Sequence, residues 1–239
     1  MIKIGVSGAS GRMGQRTIRL AKEDNDIILA FGLECKGHPD IGKSIEKVTI
    51  TDDCDIIKEC DCLIDFSLPQ ALSEYIFSLV KFKKSAVIGT TGLDKKQLDL
   101  IASASKDIPI VFSPNMSVGV NLMFRLLKEA AGILGGYNVN IKEAHHIHKK
   151  DAPSGTAKKI AQIINSQGFN IKIENIKAIR EDEIVGDHKV VFNSDLDTIT
   201  LSHSAKTRDI FVKGAILAAK WVVKKNPGLY SMDDVLFEN

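Results

Sequence analysis

The segment Gly8-Ala9-Ser10-Gly11-Arg12-Met13-Gly14 limits the fold more than any other stretch of the chain. It follows the strand-like run Ile2–Ser7 and opens a helix-like run over 12–23. A second apolar run, Ile27–Leu33, comes next and ends on Glu34. Strand, glycine turn, helix, strand and acid in that order describe a dinucleotide-binding βαβ unit. Glycines let the backbone turn tightly against a pyrophosphate, and the helix N-terminus offers N–H groups and a positive dipole end to it. The spacing is Gly-x-x-Gly-x-x-Gly, with the first two glycines one residue further apart than in the commonest fingerprint. Glu34 stands where an acid hydrogen-bonds the adenosine ribose hydroxyls. Lys36, two residues on, is equally suited to meet a 2′-phosphate or to lie solvated on the surface, so NADH and NADPH both stay open.

The alternation continues along the first half. Strand-like runs at 62–66, 85–89 and 108–112 alternate with helical patterns at 69–82 and 95–105. Such repetition with short connections predicts a doubly wound parallel sheet of Rossmann-like α/β type. The nearly all-apolar strands fit a sheet covered on both faces. Two more loops, Gly89-Thr90-Thr91-Gly92 and Ser113-Pro114-Asn115-Met116, then leave the same carboxyl edge as the first glycine loop and extend the cofactor cleft.

After Asn115 the rhythm changes. A long amphipathic helix is expected over 118–134. Strand-like runs follow at 137–147, 171–179, 188–192 and 198–203, with a helix beginning near Ser154. Few helices per strand predict a smaller α+β domain with an open mixed sheet. A final apolar helix over 210–225 is expected to return to the first domain. The domains are expected to be 1–116 with 213–239, binding the dinucleotide, and 117–212, forming the second unit.

Composition excludes several classes. The formal charge of +2 over 239 residues is too small for wholesale nucleic-acid or membrane binding. No apolar run approaches the roughly 18 residues needed to span a bilayer. The chain opens directly on a strand, so no leader is expected. The four cysteines, Cys35, Cys54, Cys60 and Cys62, read as reduced thiols of a cytoplasmic protein, since no further ligand lies near them in sequence.

The densest chemistry is Glu143-Ala144-His145-His146-Ile147-His148-Lys149-Lys150-Asp151-Ala152-Pro153-Ser154-Gly155-Thr156-Ala157, which holds three of the six histidines. Ser154 reads as a helix N-cap, with the amides of Gly155 and Thr156 at the helix start. With a nearby lysine, that end suits a carboxylate. His-His-x-His is also one form of a metal site, but Glu143 is the only acid directly beside it and hydride transfer from a reduced nicotinamide needs no metal. The expectation is therefore no metal. In a straight strand, residues 145 and 149 lie roughly 13 Å apart at about 3.3 Å per residue. They can address one atom only if the chain bends after residue 147.

This string resembles the signature of the dihydrodipicolinate reductase (4-hydroxy-tetrahydrodipicolinate reductase) family of bacterial lysine and diaminopimelate synthesis. The resemblance extends to Gly8–Gly14, Asp65-Phe66-Ser67, Gly89–Gly92, the run from Asn115 to Asn121 and residues 228–236. It implies reduction of a small cyclic dicarboxylate by NADH or NADPH in a cytoplasmic homotetramer. It implies nucleotide contacts from Gly8, Ala9, Ser10, Gly11, Arg12, Met13, Glu34, Gly89, Thr90, Thr91, Ser113, Pro114, Asn115 and Met116. His145 and Lys149 match the catalytic pair, with His146, Ser154, Gly155 and Thr156 at the substrate. Family members often carry a basic residue after the acid matching Glu34. Cys35 stands there in this chain, so NADH or dual use is the expectation.

Overall fold

The computed structural model describes residues 1–238. The chain divides into two compact units: Met1–Ser117 with the segment from Phe211 onward, and Val118–Ile210.

The first unit is a doubly wound α/β sheet. Its elements in chain order begin with β1 (Ile2–Ser7), α1 (Arg12–Lys22), β2 (Ile27–Leu33), β3 (Ser44–Ile45) and β4 (Val48–Thr51). A 3-10 turn at Cys54–Glu59 leads to β5 (Cys62–Asp65), α2 (Pro69–Lys81), β6 (Ser85–Ile88), α3 (Lys95–Ala104) and β7 (Pro109–Phe112). The strands lie in the order β12-β7-β6-β5-β1-β2-β4-β3, where β12 is Gly228–Tyr230, and all pairs except the β3–β4 hairpin are parallel. Central strands β5 and β6 are buried at every position, as a sheet covered on both faces requires. Helix α1 packs through Gly14, Thr17, Ile18 and Ala21, a stripe at three- and four-residue spacing. Pro69 sits at the first turn of α2, where its missing N–H has no intrahelical partner to lose.

The second unit contains α4 (Val118–Ile133), β8 (Asn138–His145), α5 (Gly155–Asn165), β9 (Lys177–Arg180), β10 (Gly186–Asn193) and β11 (Thr198–Ala205). Its mixed four-stranded sheet has the order β11-β10-β8-β9, with only the β8–β9 pair parallel. Ile141, Val190 and Phe192 meet Met123, Leu127, Ile160 and Ile164 of the helices in one core. The expected strand over 171–179 is corrected here: a 3-10 turn occupies Ile173–Asn175 and the strand proper is Lys177–Arg180. Apolar periodicity cannot distinguish a short turn of this kind from a strand. Helix α6 (Asp209–Val222) then leads back, and from Val212 onward it fills the first unit's core. Strand β12 and α7 (Met232–Phe237) complete that unit. Among the described residues, no helix is long and apolar enough to cross a membrane.

Candidate active site

In the first unit, β1 lies between β5 and β2, so successive connections diverge to either side of it. Such a switch point opens a crevice at the strands' carboxyl ends. A cleft of about 620 Å³ lies there, lined by Gly8, Ser10, Gly11 and Glu34 among others. Gly8 has a positive φ of 72°, which glycine adopts without steric cost. A Cβ at Gly14 would lie 2.0 Å from the Gly8 carbonyl, so only glycine lets α1 start this close to the loop. The Ser10 amide donates to Glu34 Oε1 at 2.7 Å, fixing the acid against the glycine loop. Ser10 Oγ is buried with no hydrogen-bond partner, an orphan that a bound ligand would satisfy. Three carboxylates, Glu34, Asp40 and Glu74, line the cleft, and no lysine or arginine does. Lys43 holds the Asp40 carboxyl below its ordinary range, so that charge persists.

The other sequence-predicted loops have different surroundings. Thr90 is buried, and its hydroxyl donates to Asp65, which also takes the Ser67 hydroxyl and amide. Thr91 beside it is exposed. Met116 is buried in the unit's core, Pro114 is exposed, and Ser113 Oγ donates to the Asn115 carbonyl at 2.9 Å. Ala9 is buried, Arg12 exposed and Met13 half-buried. Neither Gly89–Thr91 nor Ser113–Met116 lines the 620 Å³ cleft.

The second unit's site follows from sheet register. Alternation along β8 turns Val139, Ile141, Glu143 and His145 to the face that α5 covers. Glu143 is the direct partner of His188 on β10, and His145 is the partner of Arg180 on β9. Four polar side chains therefore continue the apolar face of one sheet. The Glu143 carboxylate, fully buried, accepts from His145 Nδ1 and, at 2.8 Å, from Arg180. It also accepts the Ser154 amide at 3.2 Å, which ties the start of α5 to the sheet. Ser154 Oγ caps Ala157 N at 3.2 Å and lies 3.3 Å from His188 Nε2. Gly155 is exposed and Thr156 half-buried, at the positive end of the α5 dipole.

Strand β8 stops at His145 and the chain turns, with the Lys149 amide donating to the His146 carbonyl at 3.1 Å. The straight-strand separation of residues 145 and 149 therefore does not apply. Lys149 Nζ pairs with Asp151 at 2.8 Å. His146 Nε2 lies 3.2 Å from Arg208, a donor-only group, so that nitrogen accepts. His148 is exposed and faces Glu183 at 3.8 Å.

Electrostatics differ sharply among these groups. Burial pushes the Glu143 carboxyl up, but the Arg180 bond and the His145 ring together hold it below the ordinary carboxylate range. Burial lowers His145, with Glu143 partly opposing the shift. Burial, aided by His145, takes His188 down to about 4. Desolvation and then Arg208 lower His146. Donor atoms of Glu143, His145 and His188 lie within 4.8 Å of one another, close enough to hold a metal ion. The Arg180 cation on the same carboxylate favours a hydrogen-bonded network over a second cation. Sequence reading missed Arg180 and His188. The one available signal was His188 falling in phase with the apolar Val190 and Phe192.

The description "Dihydrodipicolinate reductase, N-terminus" matches residues 2–116, and "Dihydrodipicolinate reductase, C-terminus" matches residues 119–236. The chain belongs to the dihydrodipicolinate reductase family. The 4-hydroxy-tetrahydrodipicolinate reductase of Geotalea daltonii is 41% identical over 265 residues, covering 99% of each chain. That of Methanoregula boonei is 40% identical over 250 residues, covering 99% of this chain and 98% of its own. A dipicolinate-bound dihydrodipicolinate reductase from Paenisporosarcina sp. TG-14 shares the fold, with a TM-score of 0.82 and 23% identity over 97% of each chain. The α/β architecture expected from the sequence is thus that of the dihydrodipicolinate reductase family.

Proposed function

We infer that this chain is an NAD(P)H-dependent 4-hydroxy-tetrahydrodipicolinate reductase acting on a cyclic, dipicolinate-like dicarboxylate. The observation that carries the reading is the full-length match to enzymes of that name at about 40% identity. The nucleotide is a resident partner of the first unit, and the residues there fit it. A glycine cradle, an orphaned Ser10 hydroxyl and an acid fixed at the end of β2 are the parts a dinucleotide needs. Gly8, Ala9, Ser10, Gly11, Arg12 and Met13 would hold its pyrophosphate and Glu34 its ribose. Gly89, Thr90, Thr91 and Ser113, Pro114, Asn115, Met116 would supply the further nucleotide contacts that the family resemblance implies. When bound, it supplies the hydride.

The remaining chemistry falls to the chain's own side chains. Reduction of a conjugated ring leaves negative charge that must be protonated, and the ammonium of Lys149 is the assigned donor. His145 assists from the adjoining strand. His146, Ser154, Gly155 and Thr156 hold and orient the carboxylates; the exposed start of α5 supports this, since a helix N-terminus attracts anions. The proposed division of labour is 1–116 with 213–239 for the nucleotide and 117–212 for substrate. Absence of any cation from the cleft lining supports NADH, or dual use, over strict NADPH use.

Residence in the cytoplasm belongs to the same reading and is supported by four free cysteines. So does a homotetramer built through the second unit. Strands β11 and β9 have unpaired edges, and Thr198, Thr200, Ser202 and Ser204 expose one face of β11. Light scattering should give four times the chain mass. The deciding assay is nicotinamide absorbance with freshly made product of the preceding aldolase. Cofactor oxidation that needs both substrate and protein is expected. Cofactor binding without turnover would make the chain a nucleotide sensor instead.

A further inference from the structure

We propose that Glu143 is a positioning residue for the reduction: its buried carboxylate accepts a hydrogen bond from the Nδ1–H of His145 and leaves Nε2 as the nitrogen that serves the substrate. The proposal rests on the reading of His145 as part of the proton machinery, and its tests are separable from that reading.

Geometry gives the carboxylate no freedom. One oxygen receives His145 Nδ1; the other receives both the Arg180 guanidinium and the Ser154 amide. Those two partners are donors only, so the carboxylate is an acceptor throughout, and the hydrogen on the His145 bond belongs to Nδ1. The charged or titratable groups facing His145 come from four places: Glu143 on its own strand, Arg180 on β9, His188 on β10 and Lys149 in the turn. Glu143 is the one anion among them. No other member of that set carries the negative charge that would offset a positive charge on the ring.

The other ring nitrogen is left open. Nε2 has no hydrogen-bond partner among the described residues. It faces Gly186 on β10, where a Cβ would stand 3.0 Å away. The register that pairs Arg180 with His145 thus locks one nitrogen, while a residue without a side chain leaves room at the second. A buried ion pair contributes little net stability, since desolvation offsets the attraction between its charges. A fixed ring orientation is what this arrangement gains.

Nitrogen-15 histidine spectra of the whole protein test this without a mutation. At neutral pH, the signal that disappears in His145→Asn should show a protonated Nδ1 and an unprotonated Nε2. In Glu143→Gln that pattern should be lost. Turnover should drop at least 30-fold with the Kd for NADH unchanged, and the limb of the pH–rate profile assigned to His145 should move to lower pH. Glu143→Asp should recover part of the rate. A His145 protonated at Nε2 in the unmodified protein would overturn the proposal, whether or not the variants fold. So would a folded Glu143→Gln with unchanged tautomer and pH profile. Full activity in His145→Asn would remove His145 from catalysis while leaving the tautomer measurement to judge the clamp.

Discussion

Glu143 and His188 are direct partners across β8 and β10, yet they engage different groups: the carboxylate binds His145, Arg180 and the Ser154 amide, while the imidazole Nε2 meets the Ser154 hydroxyl. Glu143, the one buried acid of this site among the described residues, therefore hydrogen-bonds one of two adjacent rings. Burial lowers both rings, and His188, which has no hydrogen bond to the carboxylate, goes down further, to about 4.

The lowered His188 has a pH signature. His188 titrates near 6.5 when unfolded and near 4 when folded, so between those values the unfolded chain binds more protons. Its contribution to stability is complete above about pH 6.5 and is lost as pH falls towards 4. The shift corresponds to roughly 3 kcal/mol. Glu143, held below its ordinary value, loses its contribution in the same direction at still lower pH. Urea midpoints measured from pH 7 to 4.5 should fall steeply in the wild type and less steeply in His188→Gln. Equal slopes would show that His188 is not the group responsible.

Lys149→Ala should lower kcat by roughly 100- to 10,000-fold, the range of a lost general acid. Cofactor affinity, read by fluorescence, should not change. Undiminished turnover would assign the proton to another group.

Glu34 bridges the glycine loop and the end of β2 through the Ser10 amide. Glu34→Ala should weaken NADH binding about 10- to 100-fold, the worth of hydrogen bonds to a charged group. Calorimetry giving wild-type affinity would refute the assignment.

Cys35 lines the same cleft, which contains carboxylates but no cation. Cys35→Arg should raise NADPH affinity about tenfold relative to NADH, through one charge-assisted contact to a 2′-phosphate. A binding ratio unmoved by the substitution would show that position 35 does not face the ribose.

Gly14→Ala would drive a methyl to within 2.0 Å of the Gly8 carbonyl. Nucleotide binding should be lost even where circular dichroism shows the fold intact. Retained affinity would mean that α1 can retreat from the loop at little cost.

The first unit was largely legible because its information is local. β1 and β2 fall where apolar runs and glycine turns put them, at Ile2–Ser7 and Ile27–Leu33. The hairpin of β3 and β4 was missed, since a two-residue strand has no periodicity to read. In the second unit, the string from Glu143 to Ala157 announced chemistry but not its partners. Arg180 lies 37 residues from Glu143 in sequence, and only the parallel pairing of β8 with β9 brings the two together. The strand expected over 171–179 also stops one residue short of Arg180, the residue that pairs with His145. Ser154 was legible as a cap. Its second engagement, with His188, was not.

The return of the chain through α6 has a consequence for synthesis on the ribosome. Val212, Ala215, Ala219, Met232 and Val235 pack into the same core as Ile4, Ile64 and Val111. The unit begun first is therefore completed last, after the whole of Val118–Ile210 has emerged. Until then the sheet face that α6 shares with α1 is only partly covered, and nascent chains stalled before α6 should be those that chaperones hold longest.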